Sequence, residues 1–342
     1  MSTSFAEIYN TTNGSMWHGD AIEVLAGIDT GSVNLILTSP PFALTRKKEY
    51  GNHPEDEYVG WFEPFAEEFS RILADDGSLV IDLGGAWLPG SPTRSLYQYR
   101  LLINLHDKFG FHLAEDFYWF NRAKLPGPRQ WATIERNRVK DAVNTIWWLS
   151  KSERPKADNR RVLKPYSPAM QRMIKRGTYN DGERPSQHKI GKKWAQDLGG
   201  AIPPNVIEVE DHPELYQEPD NMLDLANTNS TDPYHAFCRS NEIKRHPARF
   251  PRAVPEFFIK FLTDEGDLVV DPFGGSNVTG EVAEKLRRRW IACDLDIDYV
   301  KGSLGRFGGT DVKLTSTARK LGLSSSMIKD LQTSKAQPQG LF

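Results

Sequence analysis

The stretch from Asp267 to Asp296 constrains the fold more than any other. Leu268–Val270 is a short apolar strand, and Asp271-Pro272-Phe273-Gly274-Gly275-Ser276-Asn277 forms a glycine turn. Val278, Val282 and Leu286 then recur on one helical face. A second strand, Trp290–Cys293, ends in Asp294-Leu295-Asp296. Strand, tight turn, helix and strand in immediate succession specify an α/β unit. The rhythm is present earlier too. Val33–Thr38 is an apolar run that ends in Ser39-Pro40-Pro41-Phe42, which reads as a buried strand and a rigid loop. Glu57–Leu73 places Tyr58, Trp61, Phe62, Phe65, Phe69, Ile72 and Leu73 at helical spacing, and Gly77 can end that helix. Ser78–Leu83, Glu115–Phe120 and Asn144–Leu149 read as further strands. From Ser152 to about His235 the rhythm gives way to Pro, Gly and charge, and it returns at Phe257–Phe261. The expected organisation is one α/β domain built from residues 1–151 and 236–310. An irregular insert with an acidic linker occupies 152–235. A Ser/Thr/Lys/Gln-rich tail, partly helical and disordered at its end, occupies 311–342.

Composition excludes several classes. The 342 residues, 39% hydrophobic and 26% charged, suit a soluble globular chain with one large core. No apolar run approaches the ~18 residues of a membrane span, and Met1–Asn10 lacks a basic-then-apolar leader. Cys238 and Cys293 cannot build a disulfide framework, so a reducing cytoplasm is expected. The eight histidines show no ligand-like cluster, and no metal is expected. The formal charge of −2 hides an asymmetry. Trp119–Ser150 carries six basic and two acidic residues, and Lys151–Gly200 carries thirteen and five. Ala201–His235 then carries eight acids and no Lys or Arg. The basic block, interleaved with Trp131, Tyr166, Tyr179 and Trp194, suits a polyanion such as nucleic acid. A solvated surface is the plainer alternative.

Two loops carry chemistry. In the glycine turn, Gly274 and Gly275 allow close backbone approach to a ligand. Asp294 follows Asp271 by 23 residues. An acid about 20 residues past a glycine loop is where nucleotide-type folds hold ribose hydroxyls. The spacing is not G-x-G-x-x-G, and Asp271 would repel a pyrophosphate. A carboxylate there suits a cationic ligand, such as the ammonium of S-adenosylmethionine. A plain capped turn would leave the same sequence. The second loop, Ser39-Pro40-Pro41-Phe42, has two fixed φ angles, and each proline pushes its predecessor out of the α region. Ser39 Oγ and neighbouring carbonyls are thereby held as acceptors beside the flat face of Phe42. Such a set can grip a planar amine, with ring stacking worth roughly 1–3 kcal/mol. In isolation it could equally be a Pro-Pro turn over a core Phe.

Together the two loops resemble the S-adenosylmethionine-dependent amino-methyltransferases of DNA restriction–modification systems. Ser39-Pro40-Pro41-Phe42 looks like the N4-cytosine members, and the order (tetrapeptide, insert, cofactor loop) looks like the beta class. The likeness extends to Gly19-Asp20, Asp82-Leu83-Gly84-Gly85, Asp116–Asn121, Gly199–Asn205 and His246–Pro251, and so covers about residues 14–307. It implies a Rossmann-like methyltransferase fold, circularly permuted, with a mixed and mostly parallel sheet flanked by helices and a target-recognition insert. It implies a target-amine site from Ser39, Pro40, Pro41 and Phe42. Phe42 and Trp119 would stack on the flipped base, with Tyr118 and Phe120 as alternatives to Trp119. Asp271, Pro272, Phe273, Gly274, Gly275 and Ser276 would line the cofactor's methionine end, aided by His246, Pro247, Phe250 and Pro251. Asp294 would hold the ribose, and Asp20 the adenine. Arg46, Lys47 and Lys48 would hold phosphates, and Arg184, Gln187, His188 and Lys189 are candidates for base reading. The resemblance also implies double-stranded DNA as substrate, a cognate restriction endonuclease and a monomer, and a closer likeness of Phe42–Asn52 to one member implies a six-base palindrome, CAGCTG, as target. Two departures stand out: Asp294 where relatives often have Glu, and Asn277 where many have Gly.

Rival readings differ in specific residues. N6-adenine members typically carry an acid where Ser39 stands. Carbon-5 methylation needs a thiolate, usually in Pro-Cys, and neither Cys238 nor Cys293 follows proline. A non-catalytic DNA-binding protein would need no cofactor loop. A nicotinamide dehydrogenase would need glycine where Asp271 stands.

Overall fold

The computed structural model describes residues 5–43, 53–120, 125–177, 196–208, 232–247 and 250–328. Its strands are β1 (Ala6–Asn10), β2 (Gly14–His18), β3 (Val33–Thr38), β4 (Leu73–Leu83), β5 (His112–Phe120), β6 (Val143–Ser150), β7 (Val206–Glu208), β8 (Leu268–Asp271), β9 (Arg289–Asp294) and β10 (Lys313–Leu314). The helices are α1 (Ala21–Ala26), α2 (Tyr58–Ile72), α3 (Tyr97–Asp107), α4 (Pro168–Arg176), α5 (Pro233–Ser240), α6 (Ala253–Leu262), α7 (Val278–Lys285), α8 (Ile297–Ser303) and α9 (Ser316–Lys320).

All ten strands form one sheet in the order β10-β1-β2-β9-β8-β3-β4-β6-β5-β7. The five from β2 to β4 are mutually parallel, so their carboxyl ends share one edge. β6 runs against both β4 and β5, which brings the end of β5 to that same edge. The chain leaves β3 towards β4 and leaves β8 towards β9, in opposite directions along the sheet. The β3/β8 boundary is therefore a topological switch point. Open α/β sheets bind ligands in the crevice that such a reversal leaves.

Strand alternation explains why both faces are covered. Leu35, Leu37, Val80 and Val269 face a core shared with Phe258, Val282 and Val300. Ile36, Leu79, Ile81 and Val270 face the other, shared with Leu25, Phe62 and Leu101. Neighbouring residues of a strand thus supply opposite layers, which is why these strands read as continuous apolar runs. Truncating a fully buried ring such as Phe62 to Ala would cost about 3–5 kcal/mol.

Three local readings are revised. Gly77 does not end α2. The helix passes straight into β4, and Gly77 sits in a β4 irregularity, where a Cβ would come within 2.9 Å of Ala74 O and 3.0 Å of Val33 O. The insert is less detached than its composition predicts. Lys156 bridges Asp264 and Asp267 at 2.6 Å each, the Asp158 amide donates to Phe261 O, and β7 extends the sheet beside β5. The start of the tail joins the fold as well. β10 pairs with β1, and Val312, Ala318 and Leu323 are buried in the core. Residues 329–342 lie outside the described residues.

Candidate active site

β3 and β8 are registered through Leu35–Val269 and Ile36–Val270, so their carboxyl ends lie side by side. Thr38 Oγ1 donates to Asp271 Oδ1 at 2.8 Å across that boundary. Asp271 Oδ2 accepts from Thr279 Oγ1 of α7 at 2.7 Å, and Oδ1 also accepts the Phe273 amide at 3.2 Å. The carboxyl thus joins two strands and a helix. Burial pushes its pKa up to about 6, against the pull of these hydrogen bonds.

The glycine loop is set by the next strand end. Gly274 donates to Cys293 O at 2.8 Å, and Gly275 donates to Asp294 Oδ2 at 2.8 Å. The other Asp294 oxygen accepts the Asp296 amide at 2.9 Å. Burial lifts Asp294 to about 6 as well, with the two backbone donors acting downward. Gly275 has φ +51°, and a Cβ there would lie 3.1 Å from His246 Nε2. The His246 backbone is held by the Tyr234 hydroxyl at 2.8 Å. Asn277 adopts the left-handed conformation, φ 57° and ψ 47°, and caps α7 by accepting the Gly280 amide. Asn tolerates that conformation better than most residues, so its departure from the family pattern preserves the turn. Asp20 caps α1 through the Ile22 amide at 2.9 Å, and the Gly19 amide donates to Asp294 O. Asp20 and Asp294 therefore stand on adjacent strand ends.

On the other side of the boundary, Ser39 Oγ donates to Asp82 Oδ2 at 3.2 Å, and Trp119 Nε1 donates to Asp82 Oδ1 at 3.1 Å. Asp82 closes β4 and is buried. One carboxylate thus ties the ends of β3, β4 and β5. The Tyr58 hydroxyl holds Pro41 O at 2.8 Å, and the Tyr97 hydroxyl holds Gly84 O. Gly84 is needed because the Phe42 ring lies against it: a Cβ would sit 2.4 Å from Phe42 Cε2.

Of the site residues expected from sequence, Ser39–Phe42, Trp119, Asp20, His246, Asp271–Ser276 and Asp294 lie at this edge. Trp119 is buried, whereas the Tyr118 hydroxyl turns to Asp116 and Phe117 packs on Phe257 and Phe258. The Phe273 ring packs on α2, 5.0 Å from Phe65 and 5.9 Å from Trp61. Ser276 accepts from Arg306 through both its carbonyl and its hydroxyl. Pro251 is buried, Phe250 packs on the core and Pro247 is exposed. Arg46, Lys47, Lys48, Arg184, Gln187, His188 and Lys189 lie outside the described residues. Sequence reasoning assigned no role to Asp82, Thr38 or Tyr58. A signal for Asp82 existed: Leu79-Val80-Ile81-Asp82 repeats the pattern Leu268-Val269-Val270-Asp271, a buried strand closed by a carboxylate.

The edge therefore offers two adjoining subsites. The β8–β9 side presents Asp271 and Asp294 around a loop where a side chain on Gly274 or Gly275 would press within 3.3 Å of Ala292 or 3.1 Å of His246. A cationic ligand bearing hydroxyls, such as S-adenosylmethionine, fits those acceptors, and a pyrophosphate does not. The β3–β4 side presents acceptor oxygens beside a flat ring, which suits an amine.

A family model described as DNA methylase matches residues 33–304. The chain is 50% identical over 301 residues to the type II methyltransferase M.PvuII of Proteus hauseri, covering 87% of this chain and 85% of that protein. It is 23% identical over 296 residues to the DNA adenine methyltransferase YhdJ of Escherichia coli K12, covering 84% and 81%. Among solved structures it is similar to the PvuII DNA methyltransferase described as cytosine-N4-specific, with a TM-score of 0.67 at 42% identity, over 94% of this chain and 92% of that one.

Proposed function

The chain belongs to the DNA methylase family, and from that premise we propose that it transfers the methyl group of S-adenosylmethionine to the N4 amine of cytosine in double-stranded DNA. The observation that carries this reading is the Thr38–Asp271 hydrogen bond, which joins the amine-gripping loop to the cofactor-type loop at the switch point. The choice of cytosine rests on Ser39 standing where adenine-specific members typically carry an acid. It rests also on the nearer likeness to a cytosine-N4 enzyme than to an adenine enzyme.

Asp271, Asp294 and the Gly274–Gly275 backbone would hold the cofactor, with Asp20 beside them. When bound, S-adenosylmethionine supplies an electrophilic methyl group on a positively charged sulfur. The remaining work falls to the β3–β4 side. The cytosine is flipped out of the duplex at a cost of a few kcal/mol. Its exocyclic amine is a weak nucleophile because the lone pair is delocalised into the ring. Ser39 directs its own proton to Asp82, which leaves the Oγ lone pairs free to accept an amine N–H. The Pro40 carbonyl accepts the other. Two acceptors outside the ring plane draw the nitrogen towards tetrahedral geometry and localise its lone pair. Phe42 supports the ring, and Trp119 fixes the carboxylate behind Ser39. The proton released on transfer passes to Ser39 Oγ as the serine proton passes to Asp82. Most of the acceleration is then proximity and orientation.

In this reading the enzyme acts as a cytoplasmic monomer and protects DNA from a cognate restriction endonuclease. Among the described residues no helix is long and apolar enough to cross a membrane. The test is tritiated methyl transfer to a panel of duplexes, CAGCTG included, followed by digestion and mass spectrometry of the nucleosides. N4-methylcytosine is expected. N6-methyladenine would overturn the base assignment, and an absence of transfer to any duplex would overturn the enzyme.

A further inference from the structure

A groove of ≈ 530 Å³ lies between two arms, one after the end of β4 and one before the start of β6. The first arm leaves the end of β4. It starts at Gly84, under the Phe42 ring, and folds back through a bridge between Trp87 and Arg94, whose guanidinium lies 4.4 Å over the Trp87 ring. The second arm leads into β6 through Arg138, Val139, Lys140 and Asp141. The arms are clipped together by the Arg94–Asp141 ion pair at 2.9 Å and by Arg138 Nε donating to Pro92 O at 3.0 Å.

The charge of this groove is one-sided. Its lining carries Arg94, Arg138 and Lys140 against Asp141. Asp141 is engaged by Arg94. The contacts made by the Arg138 guanidinium, to Pro92 O and Asn137 O, are to neutral carbonyls. Val139, between two cations, is 87% exposed. Arg and Lys can hold phosphate or read guanine edges, so the comparison of cognate with non-cognate duplex decides between these roles. Point charges beside an apolar wall suit phosphate and sugar.

We propose that this groove seats the sugar–phosphate backbone of duplex DNA next to the flipped base, as a clamp indifferent to sequence. The inference rests on the DNA-methylation reading and names a contact surface for it separate from the insert. It predicts that Arg138 and Lys140 contribute equally to cognate and non-cognate binding. The two reads are the salt dependence of duplex affinity and the turnover at saturating DNA, for the full chain and for Arg138→Ala/Lys140→Ala. Expected are equal losses of affinity for both duplexes and a log K against log salt slope shallower by roughly 2, about 0.9 per phosphate contact. Turnover at saturation and S-adenosylmethionine affinity should stay as in the parent. Because Arg138 also braces the first arm, Val139→Glu is the second variant. Its exposed side chain supports little of the fold, and its added charge should weaken both duplexes through repulsion. Unchanged affinity and slope in both variants, or a loss confined to cognate DNA, would overturn the clamp. A parent protein that methylates no duplex would instead overturn the underlying function, so the two failures are distinguishable.

Discussion

The loops after β8 and β3 arrive at the same edge of the sheet by different means. The glycine loop is built mostly within one βαβ unit: Asp271, Asn277, Thr279 and Asp294 lie in a single continuous stretch of chain, and Thr38 and His246 reach it from outside. The proline loop is rigid in itself, but its chemistry depends on parts far along the chain. Asp82 comes from β4, Trp119 from β5, Tyr58 from α2, and Gly84 makes room for Phe42. A cofactor subsite can thus be specified locally, whereas the amine subsite exists only once the sheet has assembled. Stability of the first and competence of the second should therefore respond differently to substitution.

The largest separation should come from Ser39→Ala. Loss of an acceptor and proton carrier at the reacting amine is expected to lower kcat by on the order of 10²–10³. Cofactor affinity, measured by calorimetry, should not move, because the glycine loop does not rely on Ser39. An equal loss of cofactor binding would break the division between the loops. Gly84→Ala comes next. Its Cβ would overlap the Phe42 ring, so either the ring or the β4 end must shift. Overpacking of this kind costs about 1–3 kcal/mol, and it should appear in kcat/KM for DNA and in the melting temperature, again sparing the cofactor.

The cofactor side has its own signature in pH. Burial places Asp271 and Asp294 at about 6 in the free protein. A ligand that is cationic or donates hydroxyls prefers the ionised carboxylates, so binding releases protons and affinity falls as pH drops through 6. From pH 7 to pH 5 the loss should be about tenfold per titrating group. Asp294→Asn should weaken binding at pH 7 and remove that residue's share of the slope. A profile that is flat for the parent would contradict the assignment of these acids to the cofactor. The smallest effect is expected of Asn277→Gly. Glycine accepts the left-handed backbone but loses the side-chain cap on Gly280 and the hydrogen bond to the Tyr9 hydroxyl, a change on the order of 1 kcal/mol in melting experiments.

The same contrast explains what could be read from the residues alone. Leu268–Asp271, the helix after it and Asp294 were legible because each signal is local: a strand, a turn of special conformation and an acid at fixed spacing. The Ser39–Phe42 loop was legible as a rigid set of acceptors. The partners that complete it were not, since nothing in the sequence pairs Asp82 with Trp119 before strand order is known. Gly77 departs from its local pattern for a related reason. A glycine after a helix reads as its end, but here the close approach of Val33 O in a neighbouring strand demands it. The tail was underestimated because Ala318 and Leu323 are too few to form a visible apolar pattern, although both are buried.

The central proposition is that a methyl donor and a captured amine meet where β3 and β8 lie side by side. A crystal structure of the chain with S-adenosylhomocysteine and a duplex tests it most directly. The cofactor's amino-acid end should lie at Asp271 and Gly274, its ribose at Asp294, and the flipped base on Phe42 with its amine at Ser39 Oγ. A nucleoside lodged elsewhere, or a target base held away from Ser39 while the cofactor occupies the glycine loop, would contradict it.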